Sequence, residues 1–311
     1  MLITMPRTIY HFSQYLKERY AFRVRKLPIH THLGCPHRDP LTGLGGCHYC
    51  YNPGFSHISN TFKPVHEQIQ TSLTQARQKG FTGKFIAYFQ TETNTHANIQ
   101  TLRQLWEPVR QFKDDLIGLS VSTRPDCITQ NVLDYLGSFT NEFTVWIEIG
   151  LQSAHNRTLE AINRGHTVED FSHAVDLAST VPALRKCIHL ILGLPGESLD
   201  HYRQTLLFLN SLPVHGLKLH HLQIVRNTIF AREYTDGKIS AFDESQYIGI
   251  LSELLPVISS KLVIHRLFGD IHSDYLIAPR WKTPKTRLIQ QIESRLRTHG
   301  LYQGSGLENR F

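Results

Sequence analysis

The sequence predicts an α/β fold organised around a parallel sheet, and two observations lead to this prediction. Short apolar segments typical of buried strands alternate with amphipathic segments typical of helices from residue 26 to residue 224. No low-complexity tract, linker or fixed-period repeat interrupts this alternation. Because each helix must return the chain to the same edge of the sheet, consecutive strands are expected to run parallel.

The predicted elements follow in chain order from their apolar spacing. An amphipathic helix at 10–21 precedes a first strand at 26–32, which ends just before Cys35. An uninterrupted apolar run predicts the second strand, Lys-Phe-Ile-Ala-Tyr-Phe-Gln at 84–90. The same criteria predict strands at 116–122, 143–149, 187–192 and 217–224, with helices at 65–79, 99–112, 130–136, 168–179 and 199–209 between them.

After residue 225 the alternation loosens, and the remaining chain is predicted to form an α+β extension. A helix is expected at 244–258, a strand at 261–268 and a basic helix at 286–297. We therefore expect three regions: an N-terminal basic helix over 1–24, the alternating core over 25–225, and an extension over 226–311 that covers the open side of the core.

Composition and charge limit the classes of function. A hydrophobic fraction of 41% suffices for a sizeable core, and no apolar run is long enough to span a membrane. The N-terminus lacks the pattern of a secretory signal, and the cysteines are odd in number and clustered, which indicates a reducing, cytoplasmic location. The formal charge of +7 concentrates at the chain ends, 1–30 and 280–311. Basic ends favour a polyanionic partner such as RNA, with solubility as the alternative reason for them.

Three of the five cysteines lie close together in the sequence: Cys35, Cys47 and Cys50. Their spacing is C-x11-C-x2-C, and the loop is rich in Pro and Gly, which disfavour helix and let the backbone fold back. Structural zinc and ordinary ferredoxin clusters take four ligands. Three converging thiolates with no fourth cysteine nearby therefore indicate a [4Fe-4S] cluster with one iron left open. The alternative is a zinc site that recruits a histidine such as His37 or His48.

The cysteine motif and the motifs after it resemble those of the radical S-adenosylmethionine (SAM) superfamily. Tyr49 is the aromatic residue just before the last cysteine, and Cys-Pro-x-Arg-Asp and Gly-Gly-Cys-x-x-Cys frame the long insert. This insert is similar to that of the Elongator-like branch, which includes the YhcC/YtqA-type proteins. The resemblance covers about residues 20 to 285 and continues through Thr-Arg-Pro-Asp at 123–126, Glu-x-Gly-Leu-Gln-Ser at 148–153, Asn-Arg-Gly-His at 163–166, Gly-Leu-Pro-Gly-Glu at 193–197 and Gly-Asp at 269–270.

The resemblance implies a partial (β/α)6 barrel of the radical SAM type, with function at the carboxyl ends of its strands. It implies an enzyme in which Cys35, Cys47 and Cys50 hold the cluster and the open iron binds SAM. Reductive cleavage of SAM would generate a 5′-deoxyadenosyl radical that abstracts hydrogen from the substrate. An electron donor such as flavodoxin or ferredoxin would supply the electron.

The resemblance also implies contacts to SAM, most of them at or just after the end of a strand. The adenine would lie against Tyr49 and the backbone at Gly193, and the methionyl carboxylate against the guanidinium of Arg164. The remaining expected contacts come from Thr93, Asn94 and Thr95 to the amino group, from Ser122 and Thr123 to the ribose, and from Gln152.

Structural roles remain open for some of these positions. Arg164 precedes Gly165, so it could instead cap the end of a helix, and Gly193 could belong to an ordinary strand-to-helix turn. Glu148 could be a cofactor ligand or a core residue paired with an arginine. Two residues at the end of the strand in the extension, Arg266 and Asp270, are candidate substrate contacts.

The substrate implied by the resemblance is tRNA, because Elongator-like and YtqA-type relatives act on the C5 substituent of wobble uridine. The chain shows no acetyltransferase domain, so remodelling of an existing C5 side chain, such as removal of a carboxymethyl group, is the expected reaction. Two alternatives remain. One is a radical SAM enzyme for a small metabolite or a protein, and the other is a non-catalytic Fe–S or zinc RNA-binding protein.

Overall fold

One curled sheet of seven parallel strands forms the centre of the fold. The computed structural model describes residues 7–39, 45–55 and 63–308. Hydrogen-bonded neighbours in the sheet follow the order β1 (Val24–Ile29), β2 (Lys84–Phe89), β3 (Leu116–Thr123), β4 (Thr144–Gln152), β5 (Arg185–Leu192), β6 (Gly216–His221) and β8 (Val263–Arg266). Every pairing in it is parallel. The predicted α/β partial barrel is confirmed, and the strand expected in the extension joins it as a seventh member.

Helices connect the strands and cover the outer face of the sheet. Apolar residues from the crossover helices, such as Ile69, Leu133 and Phe171, join the sheet in one large core cluster. The helices are α1 (Phe12–Arg19), α2 (Val65–Gln78), α3 (Ile99–Trp106), α4 (Gln130–Gly137), α5 (Asn156–Ala161), α6 (Val168–Ser179), α7 (Leu199–Asn210), α8 (Ile229–Thr235), α9 (Glu244–Leu254), α10 (Lys285–Thr298) and α11 (Ser305–Glu308). No helix in the described ranges has the length and apolar character needed to cross a membrane.

Two helices end earlier than the sequence predicts because of proline. The helix expected at 99–112 is α-helical only to Trp106, and the one expected at 244–258 only to Leu254. In each case a proline is the second residue of the 3-10 turn that follows, and its missing N–H prevents continuation of the α-helical hydrogen bonds. The short helices α5, α8 and α11 are not predicted, because so few residues do not establish a helical period.

The interior of the barrel is layered from its amino end to its carboxyl end. At the amino end, Trp146 of β4 packs edge-to-face with Phe12 of α1 at a centroid distance of 5.8 Å. Helix α1 closes this end, and the Ile264 N–H of β8 donates to the Tyr10 carbonyl at 2.7 Å. Glu148 lies two residues further along β4 and therefore faces the same interior one layer higher. The layer above Glu148 opens into a cavity at the carboxyl ends of the strands.

The C-terminal extension contacts both ends of the barrel. Strand β7 (Ile224–Val225) pairs antiparallel with β9 (Leu276–Ala278), and α10 packs against α9. The Gln303 side chain accepts a hydrogen bond from the Tyr10 N–H at 2.8 Å and so ties the extension to the N-terminal segment. The three predicted regions, whose residues 1–6 and 309–311 lie outside the described ranges, stay predictions.

Candidate functional site

The carboxyl ends of the strands surround a cavity of about 250 Å³. Its wall combines thiols, guanidinium groups, hydroxyls and imidazoles. The sheet thus brings together side chains that lie far apart in the sequence. Of the residues that the sequence singles out, those lining the cavity are Cys35, Cys47, Tyr49, Cys50, Thr93, Ser122, Thr123, Glu148, Gln152, Arg164, Arg266 and Asp270.

The three predicted metal ligands, Cys35, Cys47 and Cys50, reach the cavity from two short turns. The Arg38 N–H donates to the Cys35 carbonyl at 2.9 Å, and the Cys50 N–H donates to the Cys47 carbonyl at 3.0 Å. All three cysteines are free thiols. Burial raises the pKa of the Cys50 thiol to about 12, with Arg38 opposing the rise and the two neighbouring thiols adding to it. Residues 40–44 of the connecting loop lie outside the described ranges.

The chemistry of these side chains fits the predicted cluster. Within the described ranges, no three His, Cys, Asp or Glu side chains converge on a point where one metal ion could bind. The thiols border a cavity, and cysteine thiolates are the usual ligands of a multi-atom iron–sulfur cluster. Two buried guanidinium nitrogens of the cavity wall, the Nε of Arg164 and the Nη1 of Arg124, have no hydrogen-bond partner among the described residues. Such unpartnered cationic donors fit an anionic group bound at this place.

Arg164 is held in place by a turn and by a glycine. Helix α5 ends at Ala161, and left-handed backbone at Asn163 (φ 50°) and Gly165 (φ 73°) turns the chain toward the sheet. The guanidinium of Arg164 is buried and donates from Nη2 to the Gly150 carbonyl of β4 at 2.8 Å. A Cβ at Gly150 would lie 2.7 Å from that same Nη2, so a larger residue there would displace the guanidinium. The guanidinium therefore faces the cavity and bonds β4 rather than α5.

Arg164 also contacts one of the predicted metal ligands. Its Nη1 lies 3.6 Å from the Cys47 sulfur. Although burial alone would lower the pKa of the guanidinium, the neighbouring Tyr49 and Cys47 raise it. Arg164 is therefore a permanent cation at the cavity wall, beside the place where the sequence predicts an anionic cluster and a carboxylate.

Glu92 is a cavity residue that the sequence does not single out. Thr91 and Glu92 both adopt φ 57°, a left-handed conformation that is uncommon for non-glycine residues and concentrates at functional sites. The Glu92 carboxylate accepts hydrogen bonds from the Gly34 N–H at 3.0 Å and from the Asn52 amide at 3.1 Å. It thereby joins the end of β2 to the segments on both sides of the cysteine loop. Its position, an acidic residue just after the predicted strand at 84–90, is the sequence feature that could have identified Glu92 as a cavity residue.

The other predicted residues after strand ends divide between the cavity and the protein interior. Thr93 lines the cavity. Asn94 and Thr95 are buried, and their side chains donate to main-chain carbonyls that hold β2, β3 and the following turns together. Gly193 faces the ring of Phe242, from which a Cβ would lie only 2.8 Å away. Cofactor contacts from Asn94, Thr95 and Gly193 stay predictions, and none of the three lines the cavity.

The floor of the cavity is a buried polar cluster centred on Glu148, which is 0% exposed. Although burial alone would raise the pKa of this carboxyl, the Lys218 and Lys26 ammonium groups hold it well below its usual range. Burial and Lys218 lower the pKa of His189 to about 4, so its imidazole is neutral at pH 7. The side chains that donate to the carboxylate are Lys26, Tyr88, Ser120, Ser122, His189 and Lys218. Glu148 is therefore a core residue paired with lysines rather than with an arginine.

The two candidate substrate contacts differ in how they are engaged. Asp270 forms an ion pair with Lys285 at 2.9 Å. Arg266 lines the cavity, and no described residue accepts a hydrogen bond from its guanidinium or pairs with it. Nearby, the Nε2 of His220 is buried without a partner among the described residues, and burial and Arg266 hold the pKa of this imidazole well below its usual range. Arg266 therefore provides a positive charge that could bind an anionic substrate group, whereas the negative charge of Asp270 is already balanced by Lys285.

Comparisons with known proteins identify the family of this chain. Residues 29–209 match the model of the radical SAM superfamily, and residues 214–298 match the model of the radical SAM C-terminal domain. The chain is 33% identical over 299 residues to YtqA of Bacillus subtilis, covering 95% of this chain and 92% of that protein. It is 33% identical over 304 residues to YhcC of Escherichia coli K12, covering 97% and 96%.

A solved structure supports the fold assignment. The archaeal Elp3 of Methanocaldococcus infernus, with residues 1–46 deleted, superposes with a TM-score of 0.69 at 16% sequence identity. The match covers 90% of this chain and 64% of that chain, so this chain spans about two thirds of the Elp3 structure. At this identity the likeness concerns the fold alone.

Proposed function

The chain belongs to the radical SAM superfamily and is an enzyme of that class, and from this premise we propose that it modifies tRNA. The superfamily uses a [4Fe-4S] cluster and SAM as its cofactors. The observation that supports cofactor binding by this chain is the joint position of three thiols, Arg164 and several strand-end hydroxyls around one cavity. We propose Cys35, Cys47 and Cys50 as the cluster ligands.

When bound, the cluster and SAM supply a 5′-deoxyadenosyl radical that abstracts a hydrogen atom from the substrate. The protein has to bind and orient SAM and exclude competing hydrogen donors. We propose that Arg164, which donates to the Gly150 carbonyl, binds the methionyl carboxylate, because a planar guanidinium binds a carboxylate through two hydrogen bonds. The proposed neighbours of the remainder of SAM that line the cavity are Tyr49, Thr93, Ser122, Thr123 and Gln152.

The polar cluster around Glu148 helps to exclude competing hydrogen donors, because its own N–H and O–H groups are engaged in hydrogen bonds within the cluster. The Tyr88 hydroxyl donates to Glu148 at 3.0 Å and accepts from the Lys218 ammonium at 2.8 Å. A phenol O–H engaged in this way is held in one orientation, toward the Glu148 carboxylate. The layer beneath is an aromatic cluster that includes Phe12, Tyr15 and Trp146 and is closed by α1.

The proposed substrate is the C5 substituent of wobble uridine in tRNA, and the proposed reaction is the remodelling of an existing side chain, such as removal of a carboxymethyl group. Resemblance to the Elongator-like branch supports the substrate, and the basic chain ends support a polyanionic partner. The guanidinium of Arg266 lines the cavity without a partner among the residues that the structure describes, and this supports a substrate that carries a carboxylate into the cavity. We further propose flavodoxin or ferredoxin as the electron donor, and a cytoplasmic location.

The test is mass spectrometry of nucleosides from bulk tRNA of cells with and without this protein. The proposal predicts that one C5-modified wobble uridine disappears and that its precursor accumulates when the protein is absent. Cells that carry only Cys47→Ala serve as the control and should resemble cells that lack the protein. An unchanged profile, with the precursors detectable and no redundant enzyme present, would exclude tRNA as the substrate.

A second measurement separates the alternatives. Anaerobically reconstituted and reduced protein should release 5′-deoxyadenosine from SAM. If it releases the nucleoside while the tRNA profile stays unchanged, the substrate is a small metabolite or a protein. If it releases none although the cluster is present, the protein is a non-catalytic Fe–S protein.

A further inference from the structure

The two basic ends of the chain lie at different places relative to the cavity. Helix α1 carries Lys17 and Arg19 and closes the amino end of the barrel, opposite the cavity. The C-terminal basic segment instead begins at the cavity rim, where Lys285 pairs with the cavity residue Asp270 at 2.9 Å. Charge alone does not distinguish the two ends, but their positions do.

The rim segment before α10 is firmly anchored. The ring of Trp281 packs against the cavity residue His221 at a centroid distance of 4.2 Å and also contacts Tyr247. Its indole N–H donates to the Phe242 carbonyl at 3.0 Å. Trp281 is therefore a half-buried residue packed against the core, and this packing holds the start of α10 next to the cavity mouth.

Helix α10 runs from this rim toward the N-terminal segment. Its buried residues Leu288, Ile292 and Leu296 face the core, and its 14 residues span about 21 Å. Near its other end, Glu293 accepts a hydrogen bond from His11 at 3.1 Å. The exposed face of α10 therefore forms a path of about 20 Å that leads away from the cavity mouth.

The exposed face of α10 is cationic and almost free of acids. Arg287 and Arg295 are exposed, and no described residue pairs with either guanidinium. The one acidic residue, Glu293, is half-buried and pairs with Arg297 at 3.7 Å. By contrast, the surface helix α6 carries Glu169, Asp170 and Asp176 and no lysine or arginine. The other exposed basic residues of the rim and helix are Arg280, Lys282, Lys285 and Arg297.

We propose that the exposed face of α10 is the surface that binds the tRNA backbone while the target nucleotide enters the cavity. Unpaired arginines on a rigid helix bind phosphates without regard to base sequence, which suits a stem that only has to be positioned. Attachment at the rim places the bound backbone beside the cavity opening. This inference rests on the proposed function and specifies where the tRNA docks.

The test compares two charge-matched double variants of the full-length, reconstituted protein. Arg287→Gln/Arg295→Gln removes two positive charges from α10, and Lys17→Gln/Arg19→Gln removes two from α1. Binding of bulk tRNA is measured by fluorescence anisotropy at several salt concentrations. Iron content and the unfolding temperature should match the wild-type protein in both variants, because all four side chains are exposed.

The α10 variant should bind tRNA about tenfold more weakly, and the slope of log affinity against log salt should fall by about 2, because two phosphate contacts no longer release counterions. The α1 variant should bind like the wild-type protein. Equal losses in both variants, or wild-type affinity in the α10 variant, would overturn the inference while leaving the nucleoside result to decide the proposed function. A wild-type protein that binds no tRNA would overturn the inference, and an unchanged nucleoside profile would overturn the tRNA substrate.

Discussion

At the scale of single residues, the first prediction concerns Cys47 and the iron content of the protein. It is buried, lines the cavity and contacts Arg164. Because an iron–sulfur cluster is held by its thiolate ligands, we predict that Cys47→Ala retains less than about a tenth of the wild-type iron after anaerobic reconstitution. Cys127→Ala is the matched control, since Cys127 does not line the cavity and should keep full iron content. Wild-type iron in the Cys47 variant would contradict the ligand assignment.

A second prediction at this scale concerns Gly150. Alanine there would place a Cβ 2.7 Å from both the Arg164 guanidinium and the Gln152 amide, so both side chains must move. We predict that Gly150→Ala weakens SAM binding about tenfold while iron content is retained, since a charged hydrogen bond contributes roughly 1.5–3 kcal/mol. Equilibrium binding of SAM to the reconstituted protein measures this.

Two variants control the Gly150 prediction. Arg164→Ala should weaken SAM binding at least as much, because it removes the guanidinium that Gly150→Ala only displaces. Gly249→Ala should leave binding unchanged, since the nearest atom to its Cβ is 4.0 Å away. Wild-type SAM affinity in both cavity variants would show that Arg164 has no part in binding the cofactor.

A role can be predicted from sequence alone when it depends on residue type and spacing, but not when it depends on which groups the side chain meets in the folded structure. The prediction that Cys35, Cys47 and Cys50 are metal ligands comes from spacing, because clustered cysteines in odd number favour a metal site over a disulfide framework. Asn94 illustrates the limit. Its place after a strand suggests a ligand contact, but its amide completes three main-chain hydrogen bonds, and only the packed structure shows which partners it meets.

At the scale of elements, strands β1, β2, β4 and β6 each contribute one charged or phenolic side chain to the same buried layer. Glu148 of β4 pairs with Lys26 of β1 and Lys218 of β6. Replacing the carboxylate leaves two ammonium groups without a counter-charge, and Lys218 is only 2% exposed. We predict that Glu148→Gln lowers the free energy of unfolding by about 3 kcal/mol, the usual range for breaking a buried pair.

Chemical denaturation under anaerobic conditions measures this loss. The folded-state pKa of Glu148 is lowered, so its stabilisation is fully present above the ordinary glutamate pKa of about 4.3 and disappears only as the pH falls through the lower, folded value. The double variant Glu148→Gln/Lys218→Met should recover part of the loss, because it removes the unpaired charge. No difference between Glu148→Gln and wild type at pH 7 would contradict the prediction.

Secondary structure is predicted correctly where the local apolar spacing determines it, and it is missed where an element depends on pairing with a distant segment. The buried strand β2 is recognisable from its unbroken apolar run, and the structure has it at Lys84–Phe89. Strand β9 is three residues long and exists because it pairs with β7, about fifty residues earlier in the chain. No periodicity in so short a segment records that pairing.

At the scale of the whole molecule, the order of the layers explains why the basic chain ends are not equivalent. In the sequence, the two chain ends look alike because both are rich in lysine and arginine. The structure separates them because the Tyr10 segment pairs with β8, which the chain reaches about 250 residues later. Contacts of such sequence separation depend on the complete fold, and local patterns do not encode them.

Gln303 connects the two ends of the chain, so its substitution tests how much this connection contributes to stability. Its side chain is 1% exposed, accepts from the Tyr10 N–H at 2.8 Å and donates to the Ser259 and Leu262 carbonyls at 2.8 and 2.7 Å. We predict that Gln303→Ala lowers the free energy of unfolding by about 2 kcal/mol, because it leaves one buried and two partly buried main-chain groups without these hydrogen bonds.

Hydrogen exchange should localise the effect of Gln303→Ala to the amino end of the barrel. Amides of α1 and β8 should exchange faster, while those of β3 and β4, in the middle of the sheet, stay protected. Gln290→Ala, on the exposed face of α10, is the control and should change neither stability nor exchange. If exchange instead rises uniformly across the sheet, the N-terminal segment is not a separate closing element but part of one cooperative unit with the barrel.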